Sequence, residues 1–472
     1  MQSESFSRSA STAPLEYYGG LTGSLFPFLL FVAGVIAVAL SGAPNERGFW
    51  PVLLAALTLA LLLARDKRAY CEVVIEGLSR PILMIMILAW LLASVLGVLM
   101  SGSGFIEALT WLAGQLHLTG RFFVGAAFVT CCLVSASTGT SLGTILVCGP
   151  LLYPAGLPMG AEAAPLAGAI LGGSTFGDSI SPISDTTIAS ALSQKADIGG
   201  TVRSRLKYVL PAAALALVLY LATGGESGTP AAELALSGNP RALPMILVPL
   251  LILTLLLRGR HLLEGLLLGL LAGVALGLSL GLLPPHRILS LDPSHFTAHS
   301  FIIEGIDRGI GISVFTIFLL ALVSGLEAGG VVDRLLRFSQ RYSRSRRSAE
   351  TWISAAVGVA VLLTTHSIVA ILTVGEFARQ SGERFGIHRY RRANLLDLTV
   401  VTFPFLLPYC IPVILASTVT SNASDGLVKV SPLQVGAHNF FSWATLLVLI
   451  ASLITGFGSA ESDDTRHLPR DP

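Results

Sequence analysis

The stretch GGSTFGDSISPISDTTIAS, from Gly172 to Ser190, decides how the rest of the chain is read. It carries two carboxylates, Asp178 and Asp185, with Pro182 between them and a dense set of hydroxyls around them. On its N-terminal side, Phe122 to Ala161 is apolar sequence of membrane length with no charged residue. A charged side chain near a bilayer centre costs about 2.5–3.5 kcal/mol on insertion scales, so two acids at that depth need partners or water. Seven residues separate the acids, close to two helical turns, which would put them on one face of an unbroken helix. Pro182 removes a backbone hydrogen bond and clashes with the preceding turn, so the helix is expected to open at Ser181-Pro182. Such an opening presents carbonyls, hydroxyls and both carboxylates to one cavity. Oxygen donors in that number suit a hard cation such as Na⁺. Adjacent carboxylates resist joint ionisation, so a proton and Na⁺ compete for the same oxygens. The competing reading is a pair of loop acids facing water at the membrane surface.

Composition sets the same class. Of 472 residues, 53% are hydrophobic and 12% charged, against about 25% charged in soluble domains. Apolar runs of 18 residues or more recur, and each is a candidate span. The fold expected is an all-α polytopic membrane protein with about 10–12 transmembrane segments. A net charge of +2 gives no reason to expect a nucleic acid partner. Cys71, Cys131, Cys132, Cys148 and Cys410 have no metal-ligand spacing, and four lie in apolar runs, so they read as small core residues. The N-terminus has one basic residue, Arg8, ahead of its polar lead and reads as a retained first helix.

Taken in order, residues 1–22 form a polar tail, 23–222 a first membrane repeat, 223–241 an external linker, 242–457 a second repeat, and 458–472 a polar tail. The first half reads as spans over Leu25–Leu40, Phe49–Ala64 and Pro81–Met100 and an interfacial or re-entrant helix over Gly102–Leu116. Its run Phe122–Ala161 is broken by SASTGTSLG, Ser135 to Gly143, and Tyr208–Ala222 is a further span. In the second half, Ala242–Leu257, Leu262–Leu283, Gly309–Leu326 and His438–Phe457 are spans. Thr351–Val374 and Leu398–Thr420 are long apolar runs flanking a polar, basic segment. The basic excess at Arg65, Lys67, Arg68 and Arg80 places that loop in the cytoplasm, and Arg203, Arg205 and Lys207 mark another cytoplasmic edge. Glu76-Gly77-Leu78-Ser79-Arg80 and Glu304-Gly305-Ile306-Asp307-Arg308 each precede a span that ends in glycines, one inside and one outside by the loop charges. One fragment in two orientations is the mark of inverted-topology repeats, whose sites lie at the midplane on discontinuous helices.

Other residues divide between a site and a structural role. Thr138, Thr140, Ser141 and Thr144 form a second wall, or else pack helices through small residues. Asp397, with Thr399 and Thr402, is either the symmetry-related contribution of the second half or an N-terminal cap. His366, after Thr364-Thr365, reads first as a hydrogen-bonded core residue, although an imidazole at this position is able to shuttle protons. Glu376 reads as interfacial, and the arginine-rich loops as topology determinants.

The two motifs SASTGTSLGT (Ser135–Thr144) and FGDSISPISDTTIAS (Phe176–Ser190) resemble the NhaC family of Na⁺/H⁺ antiporters. The resemblance implies a secondary carrier of the cell inner membrane. It implies cation- and proton-binding residues at Asp178, Ser181, Asp185 and Thr186, with Thr187 as the next hydroxyl of the motif and the two aspartates on Na⁺. It implies exchange of cytoplasmic Na⁺ or Li⁺ for external H⁺ by alternating access, with no cofactor and with Na⁺ and H⁺ as cargo. The second half departs: RRANLLDLTVVTFPFLLPYC (Arg391–Cys410) keeps Asp397 and the prolines but lacks the family's neighbouring acid. An Na⁺- or H⁺-coupled exchanger of organic acids or amino acids is therefore the alternative. The expected partners are small ions or a small organic solute and the lipid bilayer, with a homodimer left open. An intramembrane enzyme using the aspartates for metal-dependent chemistry is disfavoured by the repeat and by the lack of a catalytic domain.

Overall fold

A computed structural model of the chain describes residues 15–41, 46–105, 120–225, 240–331 and 343–458, except 183, 259, 294–296 and 424–427, plus isolated positions between 107 and 115 and at 334 and 337. Most of the expected re-entrant helix, the external linker and both tails lies outside these residues.

The first half runs α1 (Leu21–Leu40), α2 (Trp50–Leu63), α3 (Lys67–Leu78), α4 (Pro81–Gly102), α5 (Gly120–Thr138), α6 (Ser141–Gly156), α7 (Ala163–Ile180), α8 (Asp185–Ser193) and α9 (Ile198–Thr223). The second runs α10 (Leu247–Leu257), α11 (Leu262–Ser279), α12 (Pro285–Ile288), the hairpin β1 (Ser290–Asp292) and β2 (Thr297–His299), and α13 (Phe301–Ala328). It continues with α14 (Arg346–Thr364), α15 (Ser367–Arg384), α16 (Arg389–Val400), α17 (Ile411–Ala423), α18 (Pro432–Ala437) and α19 (Phe440–Thr455). Seven described helices are long and apolar enough to cross a membrane, and four shorter apolar ones accompany them. The protein is an all-α, multi-pass membrane protein.

Two apolar runs that read as continuous are broken. Thr351–Val374 divides between α14 and α15 at Thr365, and Leu398–Thr420 passes through the end of α16, a 3₁₀ turn over Phe403–Phe405, and then α17. The polar, basic segment between them is no surface loop throughout: α16 is buried along most of its length. Its buried arginines find partners inside the protein. Arg391 pairs with Glu350 of α14 at 2.9 Å, and Arg392 reaches Gln194 Oε1 at 3.1 Å. At the surface end, Tyr390 donates its hydroxyl to Asp197, the N-cap of α9, and holds that carboxyl below its ordinary range.

The break pattern occurs twice at a constant spacing. Helix starts at Gly120, Ser141, Ala163 and Asp185 are matched 226 residues later by Arg346, Ser367, Arg389 and Ile411. Left-handed backbone residues follow the same step: Gly104 and Gly330, Gly139 and Thr365, Gly160 and Gly386. The two EGxxR fragments do not keep this register. They lie 228 residues apart, one at the α3–α4 junction and the other within the first turns of α13.

Candidate cation site

Four helix breaks converge on one cavity. At the first, α5 ends at Thr138, Gly139 takes φ +70°, and Thr140 turns extended and caps α6 by accepting the Gly143 N–H at 3.2 Å. Glycine has no Cβ to oppose that left-handed step. At the third, Thr365 makes the same step with φ +52°, a costly conformation for a β-branched residue, and His366 follows extended. The second break lies between α7 and α8, where Ser181 is extended and Pro182 prevents the helix from continuing. The fourth lies between α16 and α17, around Pro404, Pro408 and Pro412.

The cavity has a volume of about 170 Å³, room for several waters at about 30 Å³ each. Its wall repeats the 226-residue step: Thr140 and His366, Ser141 and Ser367, Asp178 and Pro404, Asp185 and Ile411 all line it. The two carboxylates of the wall thus come from the first half, while proline and isoleucine stand at the matching positions of the second. The starts of α6, α8 and α15 bring positive dipole ends to the same wall as the acids.

Asp178 is buried, and both of its oxygens are occupied. Ser141 donates to Oδ2 at 2.8 Å and Ser184 to Oδ1 at 2.5 Å. Asp185 is exposed and faces the same cavity from the first turn of α8. Thr186 lines the wall and shares a 3.1 Å hydrogen bond with Ser184. Ser181 is buried, and its Oγ finds no hydrogen-bond partner among the described residues. Glycines allow this arrangement. A Cβ on Gly177 would stand 2.1 Å from the Ala136 nitrogen, so α7 lies directly on α5 next to Asp178.

Several expected residues lie elsewhere. Thr138 returns its hydroxyl to the Val134 carbonyl at 2.9 Å, and Thr399 does the same to Leu395 at 2.7 Å; neither lines the cavity. Thr187 lies behind the wall, accepting from Arg205 at 2.8 Å. Asp397 is not a helix cap. It lies inside α16, fully buried, with Oδ2 2.6 Å from Arg205 Nη1. Nor does it stand at the position matching Asp178, which Pro404 occupies. Arg205, read from the sequence as part of a basic cytoplasmic edge, is fully buried within α9. His366 is half-buried in the cavity wall, and its Nδ1 has no hydrogen-bond partner among the described residues, so it is not the bonded core histidine expected. Glu376 is exposed and held by Arg379 at 2.6 Å.

Sequence reasoning passed over Ser184 and Arg205. Arg205 had a readable signal, because Thr201, Arg205, Tyr208 and Ala212 follow helical spacing and form the buried face of α9. Ser184 had none beyond its place in a hydroxyl-rich stretch.

A family model described as the Na⁺/H⁺ antiporter family matches residues 22–225, the part that contains both first-half breaks and both wall carboxylates. The likeness to that family is therefore carried by the first half of the chain. Among curated relatives, a malate-2H⁺/Na⁺-lactate antiporter of Bacillus subtilis (strain 168) is 26% identical over 206 residues, 43% of either chain. The Na⁺/H⁺ antiporter NhaC of Alkalihalophilus pseudofirmus is 32% identical over 155 residues, 33% of each chain. The B. subtilis NhaC is 27% identical over 213 residues, 45% of this chain and 46% of the relative. The chain thus spans less than half the length of each of these relatives. All three are named as antiporters.

Proposed function

We propose that the protein is a secondary antiporter of the cell inner membrane that exchanges Na⁺ or Li⁺ for H⁺ at the cavity, with Asp178 and Asp185 as the carboxylates that take either cargo. The single observation that carries this reading is the composition of the cavity wall. It offers two carboxylates and several hydroxyls and, among the described residues, no lysine or arginine. A weakly held alkali cation needs oxygen donors and a partial countercharge, and the wall supplies both. A proton on one carboxylate removes the charge that retains Na⁺, so one occupant displaces the other. Thr140, Ser141 and Thr186 complete the first-half side, and Ser181, buried with an unpartnered hydroxyl among the described residues, lies outside the lining. The paired break pattern supports two repeats of opposite orientation moving around a fixed midplane site.

One observation favours a second reading: a relative matched over 206 residues is named for exchange of malate and lactate. A carboxylate substrate would here meet helix N-termini, hydroxyls and His366 but, among the described residues, no guanidinium or ammonium group in the wall. The cation reading is therefore preferred.

The test is transport in proteoliposomes holding an imposed pH gradient. Added Na⁺ or Li⁺ should collapse the gradient, Asp178→Asn and Asp185→Asn should each abolish the response, and Asn should not be rescued by higher Na⁺. A gradient unaffected by any alkali cation, together with counterflow of labelled carboxylates, would replace this reading with the second.

A further inference from the structure

Arg205 holds more polar groups than its place in an apolar helix requires. Its Nη1 lies 2.7 Å from the Ser179 carbonyl, 2.8 Å from Thr187 Oγ1 and 2.6 Å from Asp397 Oδ2. Nη2 reaches Ser190 Oγ at 3.3 Å, and Nε reaches Asn394 Oδ1 at 3.1 Å. Ser179 directly follows Asp178, and its carbonyl is one of those left over where α7 ends. Thr187 and Ser190 belong to α8, which starts at Asp185. Asn394 and Asp397 lie one turn apart on α16, in the other half of the chain. One fully buried guanidinium therefore ties together the end of α7, the start of α8 and α16, without itself lining the cavity.

We infer that Arg205 is a positioning residue of the cation site: it fixes the α7–α8 break so that Asp178 and Asp185 face one cavity, and it retains Asp397 as its own counterion, away from the cargo. The inference rests on the cation-exchange reading above. Three carboxylates lie close to the break, and one is matched by a permanent positive charge, so two remain for exchange. The planar fork is what permits five contacts in three elements; an ammonium is a point charge with three donors and cannot span them. Removing one partner of a buried pair leaves its charge uncompensated, and the loss exceeds what removing both would cause. Asp397 thus belongs to the frame of the site, although sequence alone offers it either as the second half's ligand or as a helix cap.

The test uses full-length protein in proteoliposomes, with half-saturating Na⁺ and maximal rate measured separately for Arg205→Lys, Asp397→Asn and the double variant Arg205→Gln/Asp397→Asn. Arg205→Lys keeps the charge and loses the fork, so half-saturating Na⁺ should rise about tenfold while the maximal rate changes less than about threefold. Asp397→Asn should be more impaired than the double variant, in which neither charge is left alone, by about fivefold or more. Wild-type half-saturation in the lysine variant overturns the inference. So does a double variant no better than Asp397→Asn, which would make Asp397 a ligand. If Asp397→Asn cannot be purified as a monodisperse protein, the lysine variant alone decides. A wild-type protein inactive with Na⁺, Li⁺ and K⁺ would refute the cation reading and this inference with it, whereas an active wild type with either overturning result refutes only the inference.

Discussion

Two serines hold Asp178, and they separate side chains that serve the carboxylate from those that serve their own helix. Ser141 and Ser184 each donate to one oxygen of Asp178, whereas Thr138 donates back to the Val134 carbonyl within α5. A hydrogen bond to a charged group contributes about 1.5–3 kcal/mol, so Ser184→Ala should raise half-saturating Na⁺ by about tenfold or more. Thr138→Ala should leave it within about twofold, because an exposed or half-buried helix hydroxyl bonded to its own turn contributes little. Concentration series in proteoliposomes check both, and equal effects would mean that the wall is drawn in the wrong place. At this scale the sequence was legible where chemistry and chain breaker coincide: Asp178, Pro182 and Asp185 announce themselves. It was not legible where a charged residue disappears into a helix. Arg205 sits between Arg203 and Lys207 and shares their local composition, but helical spacing turns it alone of the three to the core. Asp397 could not be placed without Arg205, since its burial depends on a partner 192 residues away.

Elements are set by glycine and proline as much as by hydropathy. Gly177 permits α7 to lie on α5 at the level of the site, where a methyl group would meet backbone at 2.1 and 2.2 Å. Backbone cannot swing aside as a side chain can. Gly177→Ala should therefore destabilise the protein by about 1–3 kcal/mol, or more if α7 is pushed off α5, and should lower transport with it. Gly199, near the start of α9, has open space around it, and Gly199→Ala should be neutral or stabilising by up to about 1 kcal/mol. Thermal unfolding in detergent distinguishes the two, and equal melting temperatures would remove close packing as the reason for the glycine. The break in α14–α15 escaped the sequence reading for a physical reason. Its left-handed residue is a threonine, Thr365, inside an apolar run, whereas the equivalent turn in the first half carries a glycine, Gly139. Glycine advertises a left-handed turn; threonine hides one.

Across the whole molecule, the break pattern is used twice but its chemistry only once. Elements recur at a 226-residue step, and matched positions line the same cavity, yet the acids of its wall sit in one half and proline and isoleucine in the other. Hydropathy disclosed the membrane class and the spans, because a chain with 12% charged residues has few other ways to be solvated. The 226-residue recurrence of helix breaks was not legible in the sequence. The fragments that suggested a repeat lie two residues out of register, and the matching positions share backbone conformation more than side chains. Under the proposed exchange, this asymmetry assigns the choice of cargo to the first-half acids. The most direct test is Na⁺ binding to the purified protein by calorimetry across a pH series. With one proton displacing one ion, half-saturating Na⁺ should rise about tenfold for each pH unit of acidification within the competing range. Asp178→Asn and Asp185→Asn should each remove that dependence. Sodium affinity that stays constant with pH in the wild type, or pH-dependent binding that survives both substitutions, would contradict a shared carboxylate site.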